Sequence, residues 1–449
     1  MTAESMFANL YARSGLRAAL RWLLRMDQVV PLRSEAEIAA EVEHHYRWNF
    51  AVNVLDGATF WVGSSFISAG TILPLFVSKL SSSPVPIGIL AILVQGAWFL
   101  PQLFTANWIE RLPHRKPVVV NLGLFLERLP LWVMIGSALL AGRSPALALL
   151  VFLACYAWFG LGSGLVATAW QDLVARCFPA NRRGRYFGTT TFVGAGTGLL
   201  GAGASAWILN AYAFPTNFVI IFAIAAAWIT LSWFFLALTR EPLQAVTAPR
   251  QSQRQFWAKL PAILRDDHNF RRFVVARALL TLAGMGSGFV TVAAVWRWHV
   301  PDATVGVYTV VSLAGQTAAN LFFGLLADRF GHKLSLEAGA VVACLAFGLA
   351  WLAPGAEWYY AVFALLGASA GAFIVSGTMI VLEFCEPQRR PTYAGLVNTI
   401  LGVAGMLAPV LATWLASLNF GWLFAASAAL SLVGAVLMRW WVREPRWES

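Results

Sequence analysis

Four charged residues stand out inside long apolar stretches: Asp56, the adjacent Glu127 and Arg128, and Arg277. A charge at bilayer depth costs on the order of 3 kcal/mol by insertion scales, so each asks for a partner or a task. Asp56 closes a polar line with Asn49 and Asn53 at i, i+4 and i+7, and Ser64 and Thr71 extend the same helical face. A polar stripe on a spanning helix is expected to face a wet cavity, where the carboxyl group can bind substrate or exchange a proton. The plainer alternative is an acid that snorkels to the near surface or makes a structural bond. Glu127 and Arg128 are followed by Pro130. Neighbours on a helix point about 100° apart, so these two need not pair with each other. They read as a structural ion network, or as a binding element reached through a kink at the proline. Arg277 shares a face with Thr281, Gly284, Gly288 and Thr291. It reads as an anchor for an anionic substrate, a partner for Asp56, or a snorkelling cation. Gln95, and Ser312, Gln316 and Asn320 on one face, offer uncharged hydrogen-bonding groups that bind a polar substrate or hold helices together.

Twelve apolar stretches must position these groups. They run near 50–78, 86–108, 118–141, 146–170, 186–210, 216–238, 273–296, 304–326, 334–354, 358–382, 393–416 and 419–441, and are called spans 1 to 12 below. Each is long enough, at about 1.5 Å per residue, to cross about 30 Å of hydrocarbon. The chain is 59% hydrophobic with 12% charged residues, about half the charge of a soluble domain, and its mean hydropathy is +0.67. Lipid is therefore its solvent, and the fold class is an all-α membrane protein.

The net charge of +11 does not mark a nucleic-acid binder. Of the 32 Lys and Arg residues, 27 fall at the termini and in the even-numbered loops, while the odd-numbered loops hold only Lys79, Arg143 and Arg297. This bias orients the chain with both termini in the cytoplasm of an inner or plasma membrane, and sets the basic loops against anionic lipid headgroups. Arg13, Arg17, Arg21 and Arg25 recur every four residues ahead of span 1, as in a helix lying on the membrane interface or a solvated arm. Cys155, Cys177, Cys344 and Cys385 have no metal-ligand spacing, and all six histidines fall outside the apolar cores. No metal or other cofactor is expected. An enzyme would need a nucleophile–base pair or metal ligands within the spans, and none is legible. No G-x-x-x-x-G-K-[ST] loop is present, so ATP does not drive this chain directly.

Four landmarks occur twice, in the same order. Tyr46-Arg47-Trp48-Asn49-Phe50 before span 1 answers Phe270-Arg271-Arg272-Phe273 before span 7. The loop with Ala106, Glu110, Arg111, Pro113, Arg115 and Lys116 answers the loop with Gly324, Asp328, Arg329, Gly331 and Lys333. Pro179-x-x-Arg182-Arg183-x-x-Tyr186 answers Pro387-x-Arg389-Arg390-x-x-Tyr393, and Arg240-Glu241-Pro242 answers Arg443-Glu444-Pro445. The offsets are 223, 218, 208 and 203, falling steadily. Six spans separate each landmark from its copy, so both halves enter from one side and form two parallel-repeat six-helix bundles. The expected organisation is an arm (1–49), a first bundle (50–240), a linker (241–270), a second bundle (271–443) and a tail (444–449).

On these residues the chain resembles the major facilitator superfamily over nearly all of 46–445. The most specific element is the loop between spans 8 and 9, where Gly324, Asp328, Arg329, Gly331 and Lys333 match the family's G-x-x-x-D-R-x-G-x-K pattern. In the first copy Ala106 and Pro113 replace the glycines and Glu110 the aspartate. The resemblance implies twelve spans around a central cavity lined by spans 1 and 7. It implies a loop pair acting as a gating latch on the cytoplasmic side, with Asp172, Arg182, Arg183, Arg389 and Arg390 in the second pair of cytoplasmic loops. It also implies alternating-access transport of a small molecule, with protons as a candidate coupling ion, by a monomer. A lipid translocator or a non-transporting sensor on the same scaffold is the alternative. Span 5, with Gly194, Gly196, Gly198, Gly201 and Gly203, lacks the proline of the family's antiporter motif, and span 4 lacks the arginine of many drug exporters. Both departures weigh against a drug antiporter.

Overall fold

The computed structural model describes residues 22–26, 33–109, 114–179, 182–244, 263–384 and 390–445, with isolated positions 15 and 112. Every regular element among the described residues is helical, and eleven helices are long and apolar enough to cross a membrane. The twelfth crossing, span 1, is broken in two: Glu35–Phe66, then Ile72–Leu80. Its start is set by a capping box, in which the Ser34 hydroxyl accepts from the Glu37 amide and the Glu37 carboxylate accepts from the Ser34 amide. The helix therefore begins well ahead of residue 50, and the expected boundary between arm and bundle falls inside it. It stops at Ile67, whose amide turns to the Ser64 carbonyl, and Ser68-Ala69-Gly70-Thr71 carries the chain round to the second piece.

Span 2 is Val85–Ile109, span 4 Pro145–Cys177, span 5 Arg183–Ala211 and span 6 Thr216–Ala237. Span 7 joins His268–Ala283 to Ser287–Trp298 through a short 3-10 turn at Gly284–Gly286, and so is interrupted like span 1. Spans 8 to 12 are Asp302–Phe330, His332–Leu352, Trp358–Glu383, Arg390–Leu418 and Phe420–Trp440. Most of the linker (245–262) and of the amphipathic arm lies outside the described residues. Of the arm, Leu24 is buried against the start of span 3, where Asn121 Nδ2 donates to the Leu23 carbonyl at 2.6 Å.

Span 3 departs from the plain helix expected. It is wound as π-helix over Val118–Leu122 and Leu124–Arg128 and becomes α-helical at Leu129–Ala141, with Pro130 in the first turn. Proline has no amide to give the Leu126 carbonyl, and the wider winding absorbs that loss without a break. Gly162 of span 4 packs directly on that carbonyl, where a β-carbon would stand 2.2 Å from the oxygen, so only glycine fits.

The duplication is visible as duplicated bonding. Asn49 donates from Nδ2 to the Arg240 carbonyl and accepts at Oδ1 from the Arg240 amide, both at 2.9 Å. Asn269 does the same with Arg443, at 3.1 and 2.9 Å. Phe50 meets Tyr186 edge-on at 6.4 Å, and Phe270 meets Tyr393 at 4.4 Å. These pairs align Asn49 with Asn269 and Phe50 with Phe270, an offset of 220 rather than the 223 expected from Phe50 and Phe273. The sequence match had seized on aromatic and basic character, whereas the asparagine holding the end of span 6 or 12 defines the equivalence.

Candidate functional site: buried charges and the seam between halves

The stripe of Asn49, Asn53 and Asp56 does not turn to a central cavity as expected; it turns to span 6. Asn53 Nδ2 donates to the Thr239 hydroxyl at 3.0 Å, and Ser232 Oγ donates to Asp56 Oδ1 at 2.5 Å. The stripe's spacing is right for one face, but that face packs on the neighbouring helix of its own bundle. Glu127 and Arg128, adjacent in sequence, do pair with each other, through Arg128 Nη1 and Glu127 Oε2. The π-helical winding over Leu124–Arg128 departs from the α-helix that the 100° spacing assumes. Arg128 is buried and also lies within electrostatic reach of Asp56. Three charges of the first bundle thus form one closed group with Ser232.

In the second bundle Arg277 is treated differently. Its guanidinium lies 4.4 Å over the ring of Phe373 on span 10, its Nε is enclosed without a hydrogen-bond partner, and it does not meet Asp56. Gly377, one turn beyond Phe373, makes room: a β-carbon there would stand 2.8 Å from Nη2. On span 8 the Asn320 Oδ1 is also buried and unpartnered beside Gly371, whose β-carbon position also faces the Gln316 carbonyl.

The loop residues bond within their own halves. Arg115 Nε donates to Asp172 at 2.5 Å, and Arg176 meets the same carboxylate at 3.2 Å. Glu241 accepts from the Arg115 and Lys116 amides at 2.9 Å each, as Glu444 accepts from the Lys333 amide at 3.1 Å. A carboxylate at a helix start satisfies amides that have no intrahelical acceptor. Burial pushes the Glu241 carboxyl above the usual glutamate range, and the amides of Lys116 and Arg115 oppose that. Burial likewise pulls Arg115 and Lys116 below their ordinary values. In the second loop Lys333 pairs with Glu337 at 3.2 Å, Gly331 turns the chain at φ +92°, and Arg329 lies over the Phe330 ring at 5.2 Å. Gly324 stands in open space on span 8. Arg182 pairs with Glu43 at 2.9 Å and caps the Tyr46 ring at 4.7 Å. Glu110, Arg111 and Arg389 lie outside the described residues, as do the side chains of Gln95, Arg183, Asp328 and Arg390.

The halves meet along spans 2 and 11 and spans 5 and 8. At mid-depth Phe99 approaches Gly402, and Leu313 approaches Gly198. Toward the end opposite the termini the contact tightens. A β-carbon on Gly306 would stand 2.4 Å from Ala206 Cα, and one on Gly88 would collide with Thr413 Oγ1. There the Thr71 and Thr309 hydroxyls lie 2.6 Å apart and Thr291 Oγ1 donates to the Gly70 carbonyl at 2.6 Å. Lys79 Nζ also meets Asp302 at 2.7 Å. The break in span 1 thus exposes a carbonyl that the other half satisfies. Sequence reasoning had assigned none of these contacts, nor Ser232. The small residues and Ser-Ala-Gly-Thr at 68–71 are the signals it passed over.

A sequence profile described as the Major Facilitator Superfamily matches residues 278–449. Over 150 residues the chain is 33% identical to "Multidrug resistance protein MdtL" of Escherichia coli (strain K12 / DH10B), covering 33% of this chain and 38% of that protein. The chain thus spans about two fifths of the length of the curated relatives it matches. Among solved structures it is similar to a D-xylose-proton symporter, with a TM-score of 0.66 and 16% identity over 88% of this chain and 98% of that one. It is equally similar to a bacterial homologue of the iron transporter ferroportin in the inward-facing state, with a TM-score of 0.66 and 14% identity over 91% and 99%. Both likenesses cover the two bundles together and establish the fold.

Proposed function

We propose that this chain is a member of the major facilitator superfamily and a secondary transporter that moves a small molecule across the cell membrane by alternating access. The observation that carries the reading is the one-sided seam: the described contacts between the halves run from mid-depth to the end opposite the termini. With the basic loops and both termini in the cytoplasm, this is an inward-open form. Breaking the Thr71–Thr309, Thr291–Gly70 and Lys79–Asp302 contacts, and closing the cytoplasmic loops against each other, gives the alternate state.

Coupling to protons is assigned to the closed charge group of the first bundle. Two carboxyl groups, Asp56 and Glu127, lie near one guanidinium, Arg128, which pairs directly with Glu127, and this leaves a place for one proton. Asp56 is the member not held in the direct ion pair. A screen of purified protein by thermal shift against metabolites and drugs at two pH values identifies the cargo. Its accumulation in proteoliposomes under an imposed pH gradient then tests the reading. Accumulation by the wild type and its loss in Asp56→Asn is the expected result. An Asp56→Asn variant that accumulates cargo as the wild type does removes the proton role. A wild type that moves none of its ligands removes the transporter.

A further inference from the structure

Arg277 is an intramembrane charge of the second bundle whose described surroundings are built around a cation without an anion. Span 10 supplies the platform: Phe373 stacks under the guanidinium at 4.4 Å, and Gly377, one turn on, leaves the space that Nη2 occupies. Alanine at 377 would already crowd that nitrogen. Nε is enclosed and, like Arg128 Nε, has no hydrogen-bond partner, while the residue as a whole is half-buried. Among the described residues no carboxylate forms an ion pair with it. The contrast with Arg128, which the chain provides with Glu127, is internal to the molecule. A guanidinium presents a planar fork of donors that matches a carboxylate or phosphate edge-on while its face stays stacked on a ring. Asn320 Oδ1, also buried and unpartnered, abuts span 10 at Gly371, six residues from Gly377 and so about 9 Å along the helix.

We propose that the second bundle holds an anion site at Arg277, and that the transported molecule is an organic oxyanion whose carboxylate or phosphate completes the guanidinium that Phe373 and Gly377 present. The identification of this ligand as cargo rests on the transporter reading; the site itself does not. The cation is fixed by the protein and the matching negative charge arrives with the ligand, so binding neutralises the C-terminal bundle.

The test uses the full-length protein in a neutral maltoside detergent. Benzoate, inorganic phosphate and benzyltrimethylammonium are added at matched ionic strength, and the melting temperature is followed. A saturable rise with benzoate or phosphate and none with the cation is expected, with at least a tenfold weaker response in Arg277→Met and Gly377→Ala. Arg277→Lys keeps the charge but loses the fork, and should retain a weakened response, so the test survives a methionine variant that fails to fold. Equal responses in wild type and variants, or no response to either anion, overturn the site. A rise produced by phosphatidylglycerol but by neither soluble anion assigns Arg277 to a lipid headgroup and overturns it as well. Accessibility of a Thr291→Cys variant from the two sides of proteoliposomes is measured in parallel. Alternating labelling without anion binding leaves the transporter standing and removes the anion site. Anion binding without alternating labelling does the reverse.

Discussion

Arg128 in the first bundle is buried and Arg277 in the second half-buried, yet among the described residues only Arg128 is paired with a carboxylate. Their levels are comparable, because the offset of 220 that aligns Asn49 with Asn269 sets Asp56 opposite position 276. One bundle therefore holds a closed acid–base group at the depth where the other holds a solitary cation on an aromatic ring. A duplicated scaffold that kept its joints but not its buried charges has assigned different work to its halves. In a closed group the charges stabilise one another, and removing one strands the rest. A solitary cation has nothing to strand, so its cost is held for a ligand to relieve.

The sharpest way to break that comparison is to remove each arginine in turn. Arg128→Met leaves Glu127, and the nearby Asp56, buried without their cation. A loss of about 3–5 kcal/mol is expected, read as a large fall in melting temperature in detergent. Adding Glu127→Gln to that variant should restore much of the loss, because the stranded charge goes with its partner. Arg277→Met should leave the melting temperature of the ligand-free protein unchanged or raised. If the two single variants are equally destabilised, the distinction between closed group and open cation is wrong.

A smaller effect separates the two copies of the asparagine joint. Asn49 is 1% exposed, whereas Asn269 is half-buried, and each makes the same two bonds to the backbone after span 6 or span 12. Asn49→Ala takes the buried side-chain acceptor from the Arg240 amide and leaves the Arg240 carbonyl only the weak Cys177 thiol donor at 3.5 Å, at a cost of about 1–3 kcal/mol. At Asn269 water can replace the side chain, so the loss should stay below about 1 kcal/mol. Melting curves of the two variants measured side by side decide it, and equal losses would show that burial does not set the strength of this joint.

The same two asparagines show what was and was not legible in the sequence. The twelve crossings follow from runs of apolar residues, and the repeat from landmarks such as Glu241 and Glu444, since both depend on residue type alone. The direction in which Asn49, Asn53 and Asp56 point does not. A stripe on a helix fixes a face, but in a bundle every face meets either a cavity or a neighbour, and hydropathy cannot tell a wet lining from a buried bond to Ser232. The pairing of Glu127 with Arg128 was hidden for a different reason: it depends on π-helical winding ahead of Pro130, whereas the 100° rule assumes an α-helix. The seam escaped because Thr71, Thr291 and Thr309 are ordinary intramembrane residues until the fold brings them together.

At that seam the halves stop differing and act on each other, and the smallest predicted effect lies there. Lys79 and Asp302 form an ion pair between the bundles whose side chains keep 33% and 19% of their exposure. Water and salt screen a pair so placed, which limits it to about 0.2–1 kcal/mol. Lys79→Met should therefore shift the balance toward the form open on this side by no more than about fivefold. Thr309, 2% exposed in the closed seam, is the reporter. Replaced by cysteine, it should react with a membrane-impermeant maleimide about two to five times faster when Lys79 is methionine. High salt should speed the Lys79 protein by a similar factor and leave the methionine variant unmoved, because only the former has a charge pair to screen. Unchanged rates in both comparisons would mean that the threonine and backbone bonds hold the seam without the ion pair.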